Sequence, residues 1–94
     1  IPLLTVMHNN RAYHQETMEI HRWCARMNRG LDNANIGTEI ANPNIDYSKL
    51  AQSMGMYAEG PIENPKDLGP AIKRALAVVK RGEPALLDVV IQPR

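Results

Sequence analysis

The chain has 94 residues, of which 44% are hydrophobic and 22% charged, and its formal net charge is +1. This size suits one domain or part of a larger one, and the composition is that of a soluble globular protein. A charge so close to zero argues against nucleic acid and membrane surfaces as partners, and no apolar run is long enough to span a bilayer. The single cysteine, Cys24, excludes an internal disulfide and favours a cytoplasmic location.

The amino terminus, IPLLTV, lies inside an apolar run and lacks an initiator methionine. It has neither the basic leader nor the small-residue cleavage site of a signal peptide. We therefore expect a fragment whose upstream part is missing.

The first predicted element is a strand from Leu3 to Met7, because its continuous apolar run is typical of a strand buried on both faces of a parallel sheet. From Gln15 onward the apolar residues recur at helical spacing. They lie mainly on one side of a helix that is predicted to end near Gly30.

The middle of the chain is predicted to hold a long loop, a helix and a strand. Residues 30–45 have no sustained period, and a loop of that length in a compact domain is either functional or disordered. Asp46 is a good N-cap for the helix, which Gly55 ends. The run MYAEGPI, residues 56–62, predicts a short strand near a sheet edge, since Pro61 cannot donate to a ladder.

A third helix is predicted from near Asp67 to Gly82, and the run ALLDVVI, residues 85–91, predicts the last strand. The order of these elements predicts an α/β fold with a parallel sheet of about three strands and crossover helices. Three such strands with their helices do not form a complete α/β domain, so we expect the sheet to continue in missing sequence. Ligands in such sheets bind beyond the carboxyl ends of strands, which points to the segment after Met7.

Two asparagines, Asn9 and Asn10, follow the first strand, and two interpretations of them stay open. Asparagine favours turns and helix caps, so the pair can be purely structural. Alternatively, a side-chain amide and a nearby main-chain carbonyl offer neutral oxygen ligands. Such ligands suit a magnesium ion whose charge a diphosphate already balances.

The run PLLTVMHNNRAYHQE resembles the second half of the cofactor-binding motif of thiamine-diphosphate-dependent enzymes. That motif begins with Gly-Asp-Gly and ends with an asparagine pair at the tip of a hydrophobic strand. NIDYSKLAQSMG resembles the family's helix after the active-site loop, and GEPALLDVVIQP resembles the strand that closes its diphosphate-binding domain. The similarity is closest to the branch of acetolactate synthase and of benzoylformate and pyruvate decarboxylases.

The resemblance implies that residues 1–94 are the C-terminal portion of a three-layer domain that binds thiamine diphosphate and Mg²⁺, without its Gly-Asp-Gly half. It also implies metal ligands. Asn10 would bind Mg²⁺ through its side-chain oxygen and Ala12, where the family often has glycine, through its main-chain carbonyl. The cofactor's diphosphate and thiazolium would be contacted by the stretch of Tyr13, His14 and Gln15.

The resemblance also implies candidate catalytic residues. Glu16 falls where pyruvate-decarboxylase-like members carry an active-site glutamate that handles protons, and His14 is near enough in sequence to share that task. The structural alternative for Glu16 is a first-turn glutamate that the helix dipole favours.

The implied function is decarboxylation or carboligation of a 2-oxo acid by a parent lyase or transferase of the acetolactate-synthase type. The chain alone is expected to be inactive, because the metal-binding aspartate lies upstream. The glutamate that activates the aminopyrimidine lies in another domain, usually on a neighbouring subunit of a homodimer or homotetramer. The alternative is a non-catalytic α/β interaction module, or a degenerate homologue, in which Asn9-Asn10 is only a turn.

Overall fold

The structure is a computed structural model that describes residues 1–30, 36–41 and 43–92. The chain divides into two compact units. We name them the sheet unit, Ile1–Asn9 with Asp46–Ile91, and the loop–helix unit, Asn10–Ile45 with Gln92–Arg94. Of the predicted loop 30–45, residues 31–35 and 42 lie outside the described residues.

The described residues form three strands and three helices: β1 (Leu4–Asn9), α1 (His14–Arg26), α2 (Tyr47–Ser53), β2 (Tyr57–Ile62), α3 (Pro65–Lys80) and β3 (Ala85–Val90). β1 and β2 both pair with β3 in parallel, and the strand order is β1-β3-β2. The predicted α/β fold with three parallel strands is confirmed. β2 lies at an edge, as Pro61 indicated, and its register with β3 is interrupted between Glu59 and Ile62.

One face of the sheet is covered by α3. Ala75 of α3 belongs to the same buried cluster as Ala85 and Leu87 of β3, and all three are fully buried. Small side chains on the helix allow its backbone to approach the sheet closely. Burial of a leucine side chain contributes about 2 kcal/mol to stability. The cluster is completed by Ile62, Ala71 and Val78.

The opposite face is covered by α2. Ala58 of β2 pairs in register with Leu86, so it faces away from Leu87, and Ala51 of α2 is buried outside the α3 cluster as well. The N-cap of α2 is Asp46, as predicted, and its side chain accepts a hydrogen bond from the Lys49 N–H over 3.0 Å.

The interpretation of β1 as a strand buried on both faces is wrong. Thr5, Val6 and His8 are exposed, and Val6 exposes 40% of its surface. β1 lies at the sheet edge opposite β2, so β3 is its one partner among the described strands. An apolar run predicts a strand but not which neighbours cover it.

Two predicted helix boundaries are also wrong. α3 begins at Pro65 rather than near Asp67, because a proline at the first helical position loses no hydrogen bond there. The helix then continues through Pro70 and forgoes one hydrogen bond. α1 ends at Arg26 rather than near Gly30, because Asn28 adopts a left-handed conformation with φ 55°.

Candidate functional site

The carboxyl end of β1 is tied to β3 by a buried pair of side chains. Nδ2 of Asn9 donates a hydrogen bond to Oδ1 of Asp88 over 3.0 Å; Asn9 is 5% exposed and Asp88 is fully buried. The Asn9 carbonyl accepts a second hydrogen bond, from the Ile91 N–H, over 2.9 Å. The last residue of β1 is therefore held through both its side chain and its main chain.

Gly60 of β2 makes the space that Asp88 occupies. Gly60 has φ +149°, and a Cβ at this position would lie 2.7 Å from the Asp88 Cβ. This is well inside the separation at which two carbons attract, so a larger residue would force the strands apart. In the part of the chain that the structure describes, Oδ2 of Asp88 has no hydrogen-bond partner.

In the loop–helix unit, residues 10–12 form a tight turn. Oδ1 of Asn10 accepts a hydrogen bond from the Ala12 N–H over 3.2 Å, which is the geometry of an Asx-turn. Arg11 between them has φ 57°, a left-handed conformation that is uncommon for residues other than glycine, asparagine and aspartate. Asn10 and Ala12 are both half-buried. The two predicted metal ligands therefore lie within a single turn.

The described part of the predicted long loop, residues 36–41, pairs with this turn. An antiparallel bridge joins Ala12 to Glu39. Its two backbone hydrogen bonds, each 2.6 Å, are accepted by the carbonyls of Arg11 and Thr38. No hydrogen bond among the described residues is accepted by the Ala12 carbonyl.

The remaining predicted cofactor residues lie at the start of α1. Tyr13 precedes the helix and exposes 60% of its surface. The first helical turn carries a half-buried His14 and an exposed Gln15 and Glu16. Glu16 lies where the helix dipole favours a glutamate, and its role as a proton carrier stays a prediction.

A buried pair of hydroxyl groups connects α1 to the loop. Oγ1 of Thr17 donates to Oγ1 of Thr38 over 2.7 Å, and Thr17 Oγ1 also lies 3.3 Å from the Tyr13 carbonyl. Thr17 is 4% exposed and Thr38 7% exposed. This pair fixes the helix start against the segment that bridges Ala12.

Sequence reasoning did not single out Asp88, Gly60 or Thr17. Asp88 is the one acid in the apolar run ALLDVVI, and this interruption could have marked it, because charged residues are rarely buried without a partner. The role of Gly60 had no comparable signal, since it depends on which strand lies beside it.

Within residues 1–30, 36–41 and 43–92, no three His, Cys, Asp or Glu side chains come together in a group able to hold a metal ion.

Nor does any helix in these ranges combine the length and apolar character needed to cross a membrane.

A family profile described as "Thiamine pyrophosphate enzyme, C-terminal TPP binding domain" matches residues 1–89. The chain belongs to this family. The resemblance to thiamine-diphosphate-dependent enzymes and the fold class predicted from the sequence are thus confirmed, and the branch within the family stays a prediction. As a thiamine pyrophosphate enzyme domain, the chain implies a parent enzyme that uses thiamine pyrophosphate, which is the same compound as thiamine diphosphate. No curated protein and no solved structure gives a significant match to the chain.

Proposed function

We propose that residues 1–94 are the C-terminal portion of the diphosphate-binding domain of a Mg²⁺-dependent enzyme that decarboxylates or carboligates 2-oxo acids. The proposed branch is that of acetolactate synthase and of benzoylformate and pyruvate decarboxylases. The observation that carries the proposal is the turn at Asn10 and Ala12. It directly follows the carboxyl end of a parallel strand, which is where α/β sheets bind ligands.

The oxygen atoms of this turn fit a magnesium ion. Oδ1 of Asn10 has two lone pairs, and the Ala12 N–H occupies one of them. The second lone pair and the Ala12 carbonyl are two neutral oxygen ligands of the kind that Mg²⁺ accepts. We propose that the diphosphate and the aspartate of an upstream Gly-Asp-Gly supply the negative charge.

Bound thiamine diphosphate supplies the nucleophilic carbon and the electron sink that decarboxylation of a 2-oxo acid requires. The protein supplies binding and orientation. The stretch of Tyr13, His14 and Gln15 follows the metal turn directly and would run past the diphosphate and thiazolium.

Glu16 and His14 are the proposed proton carriers. Glu16 would hold a proton at a carboxyl oxygen, ready for the product carbon after carbon dioxide has left. His14 would exchange that proton with solvent at a ring nitrogen, as imidazole can do near neutral pH. Both side chains lie in the first turn of α1.

We further propose that the parent protein is a cytoplasmic homodimer or homotetramer with a neighbouring subunit completing each site. Its class is lyase or transferase. The chain by itself is expected to be inactive.

The test uses the complete gene product that contains this chain and titrates it with thiamine diphosphate by calorimetry, with Mg²⁺ and with a chelator. We expect saturable binding that requires Mg²⁺. Asn10→Ala should weaken it at least tenfold, because one metal ligand is lost. Asn64→Ala is the matched control, since it removes an asparagine that caps α3 and should leave binding within about twofold.

Two outcomes would overturn parts of the proposal. Unchanged binding in Asn10→Ala would remove the metal assignment, and absence of binding in the unmodified protein would favour a degenerate homologue.

The same preparation separates the proton carriers from the metal site. Glu16→Gln should keep the affinity while it lowers the turnover of pyruvate at least tenfold.

A further inference from the structure

Packing alone does not account for the placement of Asp88 in the sheet unit. It is an acid on the central strand, fully buried, and the other buried residues of β3 are Ala85 and Leu87. A buried carboxylate lowers stability unless hydrogen bonds offset its loss of water. Only one of its two oxygens has a hydrogen-bond partner among the described residues. A well-packed apolar residue would serve a purely structural role at lower cost.

The one side-chain partner of Asp88 is the last residue of β1. Asn9 lies on the same face of the sheet, because it pairs in register with Val90, two residues beyond Asp88. The side-chain bond to Asp88 and the main-chain bond from Ile91 act on Asn9 from two directions. Together they hold Asn9 at the carboxyl end of β1 through both its side chain and its main chain.

The approach of Gly60 prevents Asp88 from moving away. The Gly60 Cα faces the Asp88 Cβ so closely that an added methyl group would lie 2.7 Å from it. The close approach limits the space around the Asp88 Cβ, and Oδ1 of Asp88 lies 3.0 Å from Nδ2 of Asn9. The hydrogen bond from Asn9 to Asp88 therefore positions the Asn9 side chain.

We propose that Asp88 is a positioning residue for metal binding: through Asn9 it fixes the point at which β1 ends and Asn10 begins. The inference rests on the proposed function, since Asn10, the residue directly after Asn9, is the proposed magnesium ligand. Residues that hydrogen-bond a metal ligand directly change metal affinity by about 10–100-fold when they are removed. Asp88 acts through the residue before the ligand, so we expect an effect of about tenfold, at the lower end of that range.

The test compares Asp88→Ala, which removes the acceptor, with Asp88→Asn, which keeps an oxygen for the Asn9 amide. In the complete gene product, the Mg²⁺ concentration that half-saturates thiamine diphosphate binding should rise about tenfold in Asp88→Ala. It should rise less than threefold in Asp88→Asn. Val78→Ala is the matched control, because it removes buried volume beneath α3 without touching the pair.

A general loss of stability would act on the control and on Asp88→Ala alike, so equal shifts in the two would overturn the inference. An unchanged Mg²⁺ requirement in Asp88→Ala would overturn it as well, as would a shift in Asp88→Asn as large as that in Asp88→Ala. Should Asp88→Ala fail to fold, Asn9→Ala removes the donor instead, and the same tenfold rise is expected.

A ligand-free measurement distinguishes this inference from the proposed function. Amide hydrogen exchange over residues 8–12 should be faster in Asp88→Ala than in Asp88→Asn, and Val78→Ala should leave it unchanged relative to the rest of the sheet. Unaltered exchange would overturn the positioning role even if the protein binds thiamine diphosphate. Altered exchange without any cofactor binding would instead overturn the proposed function.

Discussion

In the sheet unit, apolar side chains of α3 are buried against β3, whereas the loop–helix unit buries a pair of hydroxyl groups. Its only buried side chains among the described residues are Thr17 and Thr38, which hydrogen-bond to each other. Met18 and Trp23 of α1 expose 41% and 56% of their surfaces, and Met27 directly after the helix exposes 47%. The sheet unit thus has an apolar core of its own, while α1 is held mainly through local polar contacts.

This difference predicts different sensitivities to substitution. The stability of the sheet unit depends on the apolar area that it buries and on close packing. Substitutions that disturb this packing should therefore lower the free energy of unfolding strongly. A neutral hydrogen bond contributes only about 1 kcal/mol net, so changes in the loop–helix unit should be smaller and more local.

The largest expected effect is that of Gly60→Ala, which should lower the free energy of unfolding by about 3 kcal/mol. The new Cβ would lie 2.7 Å from the Asp88 Cβ and 2.9 Å from the Asp88 carbonyl oxygen, at a φ of +149°. Urea denaturation followed by circular dichroism measures the change.

The control is Gly69→Ala within α3, where nothing lies within 4 Å of the added atom. This variant should be more stable than the parent by about 0.5–1 kcal/mol, because alanine is the better helix former. Equal behaviour of the two glycine variants would contradict the close packing described for Gly60.

A smaller effect is expected for Thr17→Val, which removes the hydroxyl donor to Thr38 without changing side-chain size. We expect a local cost of about 1 kcal/mol, seen as faster amide hydrogen exchange in α1. Thr5→Val is the control, since Thr5 is exposed on β1 and should tolerate the change. Faster exchange in β3 to the same extent would show that the two units unfold together, and the contrast between them would fail.

The smallest effect concerns pH and is confined to the sheet unit. The Arg74 guanidinium, whose Nε lies 3.0 Å from Oε1 of Glu59, holds the pKa of that carboxyl below its usual value of 4.5. Because the folded-state pKa is the lower one, this contribution is complete above pH 4.5 and is lost as pH falls through the folded-state pKa.

Urea midpoints at pH 7 and pH 3 should therefore differ less in Glu59→Gln than in the parent protein. Both side chains are partly exposed, so the difference should also shrink in high salt. Glu83→Gln is the control, an exposed glutamate without an ion pair among the described residues. An equal effect of both substitutions would argue against the Arg74 pair as the cause.

Much of the fold was predictable because the local signals agree with each other. The cap at Asp46, the proline at Pro61 and the apolar run that forms β3 each predict one structural outcome, and the structure has it. The start of α3 could not be predicted in this way, because Pro70 favours a later helix start while Asn64-Pro65 favours an earlier one. Packing of the helix on the sheet outweighs the lost hydrogen bond.

The candidate site also contains residues that the sequence could predict and residues that it could not. The turn at Asn10 and Ala12 was open to prediction, since a turn directly after a strand is a local property of the chain. Their role as metal ligands came from the family resemblance and stays a prediction. Asp88 was not predicted, because its partner Asn9 is 79 residues away in the sequence. Whether those two residues meet depends on the register between β1 and β3.

The sequence by itself determined the order and type of the elements, the asparagine turn after β1 and the family to which the chain belongs. These follow from side-chain spacing, cap residues and a contiguous motif, all of which act over a few residues. Only the tertiary structure decided that β1 is an edge among the described strands and that Asp88 is buried beside Gly60 and bonded to Asn9. Strand order and register decide those contacts, since pairing brings together residues that no local pattern connects.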